Sequence, residues 1–233
     1  MRSYHFLDVK DFSIIENLEA EEEISTEQQI SLSGMVDDPI SSIKLIKRDY
    51  YKGFDKLNIH HEKVKKKKGR AYGEDAVFNS FIENNDMSAY YNDDLKLLLI
   101  EGNKGSVNDF IKKFEKIFTP GFRVERSSVD FPFLIQQTQN VWGGWLNGFN
   151  DGNLKSVALY GDHVNLSEDY DRFKAAGKLS SLNCSIAFAK NTYDFMITAN
   201  RTVVIMQSFT QEQDIDLLLF LKPMLYKETL QTN

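Results

Sequence analysis

The sequence predicts an α+β fold, a mixed or antiparallel sheet with helices packed mainly on one face. Three observations carry this. Leu95 and Leu97–Ile100 form an apolar run suited to a strand buried on both faces. Directly after it, Val107, Phe110, Ile111, Phe114, Ile117 and Phe118 recur at three- and four-residue spacing, so they share one helical face. Near the end of the chain, Leu182–Ala189, Tyr193–Ala199 and Thr202–Phe209 read as short strands, with Asn200-Arg201 where a tight turn belongs.

From the start, Tyr4–Val9 reads as a first strand, and Asp11–Ser33 is acidic and expected to be partly helical and exposed. Gly34–Pro39 is a turn, and Ile40–Ile59 suits either a strand or a helix. Lys63–Arg70, KVKKKKGR, is too charged to pack and reads as an exposed loop. Tyr72–Asn84 reads as a helix, with Ala76, Val77, Phe78, Phe81 and Ile82 facing a core. Gly102 and Gly105 end the central strand, and Ser106 is the expected N-cap of the next helix. Thr119-Pro120-Gly121 stops that helix, and Phe122–Val129 is the next strand. Residues 95–129 are thus a strand–helix–strand unit, the order of a crossover connection. Phe133–Trp145 reads as a helix broken by Gly143 and Gly144, followed by a strand at Leu154–Tyr160. Ser167 caps a helix that Gly177 ends, and Gln211–Leu225 is a final helix that Pro223 kinks or closes. Residues 226–233 read as a tail. The expected organisation is a less regular lobe over residues 1–90 that carries the basic loop and an α+β core over 91–233, with one continuous domain as the alternative.

At 233 residues and 42% apolar content, the chain has material for a sizeable core. No apolar run reaches the ~20 residues that span a bilayer, and the charged N-terminal stretch is unlike a signal peptide. No membrane contact and cytoplasmic residence are expected. A lone cysteine, Cys184, excludes an internal disulfide and a cysteine-based zinc site. The net charge of −6 is unevenly spread. Residues 44–70 hold eleven of the 28 basic residues and three acids, a local balance of +8 that leaves −14 on the rest.

Lys63, Lys65, Lys66, Lys67, Lys68 and Arg70 therefore form the main candidate site, six cations able to neutralise phosphates. Tyr50, Tyr51 and Tyr72 lie near in sequence as aromatics on which bases stack. A second group, Glu74, Asp94, Glu101 and Lys104, resembles the pattern of metal-dependent nucleases of the restriction-enzyme type. In those, carboxylates from a helix and a strand hold Mg²⁺ and a lysine orients the attacking water. The spacing departs from that pattern, since Asn103 stands where the lysine belongs. The Gly102–Ser106 turn enters a helix N-terminus, a place that can hold phosphate, but it carries neither glycine-rich nucleotide signature. Cys184 reads as a buried small apolar group, and Trp142 and Trp145 as core anchors or a contact surface.

The expectation for function is a non-enzymatic accessory protein with a protein partner, working in a larger complex and touching DNA or RNA through the lysine run. It needs no cofactor. The alternatives are a divergent nuclease, the one reading that requires Mg²⁺, and a purely protein-binding adaptor or inhibitor.

Overall fold

The computed structural model describes residues 1–26, 39–70, 72–73, 77–150 and 153–225. The strands are β1 (Arg2–Asp11), β2 (Glu23–Ser25), β3 (Ser41–Tyr51), β4 (Phe54–Arg70), β5 (Val77–Asn92), β6 (Leu97–Glu101), β7 (Arg123–Glu125), β8 (Asn140–Asn147), β9 (Ser156–Tyr160), β10 (Lys178–Phe188), β11 (Asn191–Thr198) and β12 (Thr202–Ile205). The helices are α1 (Lys104–Phe118), α2 (Phe131–Gln137), α3 (Glu168–Ala176) and α4 (Gln211–Leu221). The fold is thus mostly sheet, with antiparallel ladders.

The chain divides into two compact units, Leu7–Glu125 and Met1–Phe6 with Arg126–Asn233. The boundary expected near residue 90 falls inside β5. There, Ala89–Tyr91 pair with β4 on one side and β6 on the other, so a cut would sever two ladders at once.

In the Leu7–Glu125 unit the strands run in the order β2-β3-β4-β5-β6-β1, with β7 beside β1. Alternate side chains of neighbouring strands converge on one core: Ile43, Leu45, Leu57, Ile59, Met87, Ala89, Leu98 and Ile100. Val107, Phe110, Ile111 and Phe114 of α1 join the same core and Phe118 packs against it, whereas Ile117, expected on this face, is exposed. Leu97 and Leu99 are buried as well, as a strand covered on both faces requires. The helix starts earlier than expected. Asn103, not Ser106, is the N-cap: its Oδ1 accepts from the Ser106 N–H at 2.9 Å, while the Ser106 hydroxyl donates to Asn85 Oδ1 at 2.7 Å.

The other unit has the strand order β1-β12-β11-β10-β8-β9, built on the first residues of β1. Leu182, Cys184 and Ile186 alternate inward along β10, as do Tyr193, Phe195 and Ile197 along β11. Ser167 caps α3 as expected, and Thr210 with Gln213 forms a full capping box on α4. The final helix gives way to a 3₁₀ turn at Lys222–Met224, where Pro223 sits. Asp214 of α4 is fully buried and is held by Arg2 Nε at 2.9 Å and by the Tyr4 hydroxyl at 2.7 Å. The Trp-Gly-Gly-Trp segment, expected to break a helix, lies inside β8. Gly143 is needed for close packing there, since a Cβ would sit 2.6 Å from the Asn183 side chain and 3.0 Å from the Tyr160 ring.

One order of elements recurs, although no repeat is visible in the sequence. Three antiparallel strands lead into an N-capped helix as β4-β5-β6-α1 in one unit and as β10-β11-β12-α4 in the other.

Candidate nucleic-acid interface

The lysine run is a strand, not a loop. β4 pairs with β5 in one ladder from Asp55↔Tyr91 out to Arg70↔Val77. The third-strand contacts stop well short of that end. β3 pairs with β4 only as far as Ser41↔His61, and β6 pairs with β5 only as far as Ala89↔Ile100. Beyond these points the ladder has two strands among the described residues. From Val64 to Arg70 it extends roughly 20 Å at the usual rise per residue.

Exposure shows that this ribbon is uncovered. Consecutive strand residues point to opposite faces, and here Phe81 and Ile82 are 39% and 40% exposed. Val64, cross-strand from Ile82, is exposed too, as is Val77 at the outer end. The expected helix at Tyr72–Asn84 is therefore β5. Its apolar residues at 77, 78, 81 and 82 suit helical spacing as well as a strand, and pairing with β4 decides between them.

A bulge between Lys66 and Gly69 interrupts the register. Gly69 makes room for an aromatic ring, since a Cβ there would lie 2.5 Å from Phe78 Cζ. The Phe78 ring in turn meets Phe81 edge-on at 5.9 Å.

The six cations fall into two sets. Lys63 is paired with Asp109 of α1, and Lys65 Nζ lies 3.2 Å from the Glu83 carboxylate across the ladder. The Lys63 hydrogen bond, with help from its charge, holds the Asp109 carboxyl below its ordinary range. Lys66, Lys67, Lys68 and Arg70 are exposed and make no ion pair among the described residues. Tyr72 at the turn is fully exposed. Tyr50 and Tyr51 are not part of this surface. They lie at the opposite end of β4, where Tyr51 pairs with Phe54 and the Tyr50 ring packs near Tyr90 at 6.0 Å.

At the root of the ribbon, adjacent histidines face opposite ways. Burial opposes protonation of His60, but Asp86 at 2.8 Å and Glu62 outweigh it and raise the pKa above the usual imidazole value. His61 is buried, its Nδ1 lies 2.8 Å from the Ser41 hydroxyl, and its Nε2 has no hydrogen-bond partner among the described residues. Burial, then the charges of Lys113, Lys63 and His60, lower its pKa against the opposing pull of Asp109.

The carboxylates of the nuclease pattern are dispersed. Asp94 lies in the turn before β6 and Glu101 at its far end, and the strand alone spans roughly 13 Å. Lys104 opens α1. Glu74 lies outside the described residues. Among the described residues no three His, Cys, Asp or Glu side chains gather closely enough to hold a metal ion. At the Gly102–Ser106 turn the side chains of Asn103, Ser106 and Asn85 hydrogen-bond one another. Cys184 is buried and its thiol is pushed up to about 12 by that burial. Trp145 is exposed on β8, and Trp142 is half-buried. No helix among the described residues is long and apolar enough to cross a membrane.

Neither a scan against models of known protein families nor a search of curated proteins gives a match.

Proposed function

We propose that this protein is a non-enzymatic accessory protein that acts within a larger assembly and touches nucleic acid through the β4–β5 ribbon. One observation supports this above all. The chain holds four cations, Lys66, Lys67, Lys68 and Arg70, on a two-stranded ribbon open on both faces, in a protein whose net charge is −6. Acidic partners inside the fold take up Lys63 and Lys65, whereas these four remain available to an outside anion. Each phosphate they neutralise releases a condensed counterion, which drives association without reading sequence.

The test is a salt series of binding titrations with labelled nucleic acid on wild type and on a variant carrying Lys66→Ala, Lys67→Ala, Lys68→Ala and Arg70→Ala. For a duplex the slope of log K against log salt should flatten by about 3–4, since each contact contributes roughly 0.9. Thermal stability should hold, because exposed charges contribute little to the folded state. Equal affinity and slope for both proteins would remove the ribbon from nucleic-acid binding. A second reading is favoured by Val64, Val77 and Ile82, which are exposed and apolar. On that reading the ribbon docks a protein with an acidic, partly apolar face, and it predicts salt-sensitive protein capture with no response to added nucleic acid.

A further inference from the structure

We infer, resting on the nucleic-acid reading above, that the ligand of the ribbon is B-form duplex DNA and that the ribbon enters its major groove. Three features of the ribbon select this ligand over a single strand or an RNA duplex.

The first is its cross-section. Outward from Val64 and Ile82 the ladder has two strands and no third neighbour among the described residues. Two strands lie about 4.8 Å apart, and a sheet with its side chains is about 10 Å thick. The major groove of B-DNA is about 12 Å wide and 8.5 Å deep and admits a two-stranded ribbon. The A-form RNA major groove is too narrow and deep for side chains to read.

The second is the distribution of charge. All four available cations come from β4. The bulge between Lys66 and Gly69 breaks strict alternation at Lys67 and Lys68, but Lys66 and Arg70 lie on opposite faces, since their partners Ser80 and Val77 are three residues apart on β5. Lys66 shares a face with Ser80, the face opposite Lys65 and Phe81. A ribbon lying on a flat surface would turn part of its charge to solvent. A ribbon standing between two phosphate walls meets anions on both sides. The stretch from Val64 to Arg70 covers roughly 20 Å, a little over half of a 34 Å helical turn, so both walls stay within reach along its length.

The third is the state of the aromatic rings. Proteins that bind single strands without sequence preference present successive open aromatic faces to the bases. Here Phe78 lies against Gly69 and meets Phe81 edge-on. Those rings stiffen the ribbon, which leaves Tyr72 as the fully exposed ring at the turn.

The experiment uses the whole chain and three fluorescein-labelled probes of one sequence: a 20-base-pair DNA duplex, the corresponding RNA duplex, and single-stranded DNA. Anisotropy titrations at two salt concentrations are run on wild type and on the four-alanine variant. Methyl green, a major-groove ligand, and netropsin, a minor-groove ligand, serve as competitors. Binding to duplex DNA at least tenfold tighter than to either other probe is expected, with displacement by methyl green and not by netropsin. Tighter or equal binding of the RNA duplex or the single strand, lost in the four-alanine variant, would overturn this inference and leave the nucleic-acid role of the ribbon standing. Displacement by netropsin alone would overturn the major-groove placement. Binding to no probe, or binding that the variant leaves unchanged, would overturn both.

Discussion

Replacing Phe114 by alanine tests the packing on which the Leu7–Glu125 unit depends. The side chain is fully buried, with ring centroids 4.9 Å from Phe110, 4.5 Å from Phe118 and 5.3 Å from Phe122. Truncating a core phenylalanine costs about 3–5 kcal/mol in lost transfer free energy and residual cavity. The aromatic pairs contribute about 0.5–1.5 kcal/mol each beyond their area, so the upper half of that range is expected. Unfolding entropy near 2.1 cal/mol/K per residue gives about 0.25 kcal/mol/K for a unit of roughly 120 residues. A loss of 4 kcal/mol then lowers its Tm by about 16 °C. If both units melt together the entropy nearly doubles and the shift falls to about 8 °C. Differential scanning calorimetry reads the shift and the number of transitions at once. Ile117→Ala, near the C-terminal end of the helix and exposed despite its place in the stripe, serves as control with an expected loss below about 1 kcal/mol. A Phe114→Ala shift under 2 °C, or one equal to that of the control, would refute the packing of α1 on this core.

His61 is expected to titrate below 6.5, because burial and nearby lysines favour its neutral form. Its contribution to stability is then complete above 6.5 and is lost as pH falls from 6.5 through the lowered folded value. His61→Gln should flatten the acid-side fall in Tm, and an NMR midpoint at or above 6.5 for this ring would contradict the assignment. His60, with a raised value, has the opposite sign: its contribution is complete below 6.5 and fades as pH rises through the folded value, so the two rings are titrated separately. Gly69→Val should push Phe78 off the ribbon, since even a Cβ meets that ring at 2.5 Å. The expected result is faster amide exchange over 64–70 and 77–82 with less than about 1 kcal/mol lost globally, and unchanged exchange would argue against the bulge.

Parts of this architecture are legible from neighbouring residues alone. The α1 stripe, the buried Leu97–Ile100 strand, the Ser167 cap and the alternation along β10 each depend on side chains within a few positions. The charge segregation that marks residues 63–70 as a candidate site is likewise a property of composition. Where two local solutions exist, the sequence reading fails. Asn103 and Ser106 are both good caps, and the apolar residues of 77–82 suit a helix or a strand.

What local pattern determined, then, is which stretches are apolar, periodic or charged. Tertiary structure decided how they pair. Nothing in KVKKKKGR encodes a strand; its backbone becomes one because 77–83 supplies a ladder partner across the hairpin. Asp109, 46 residues from Lys63, removes one cation from the surface, and Glu83 removes Lys65, leaving the outer four. The first strand pairs with Thr202–Ile205 near the other end of the chain. Such contacts depend on register and on residues distant in the chain, and their free energy exists only once the ladders have formed.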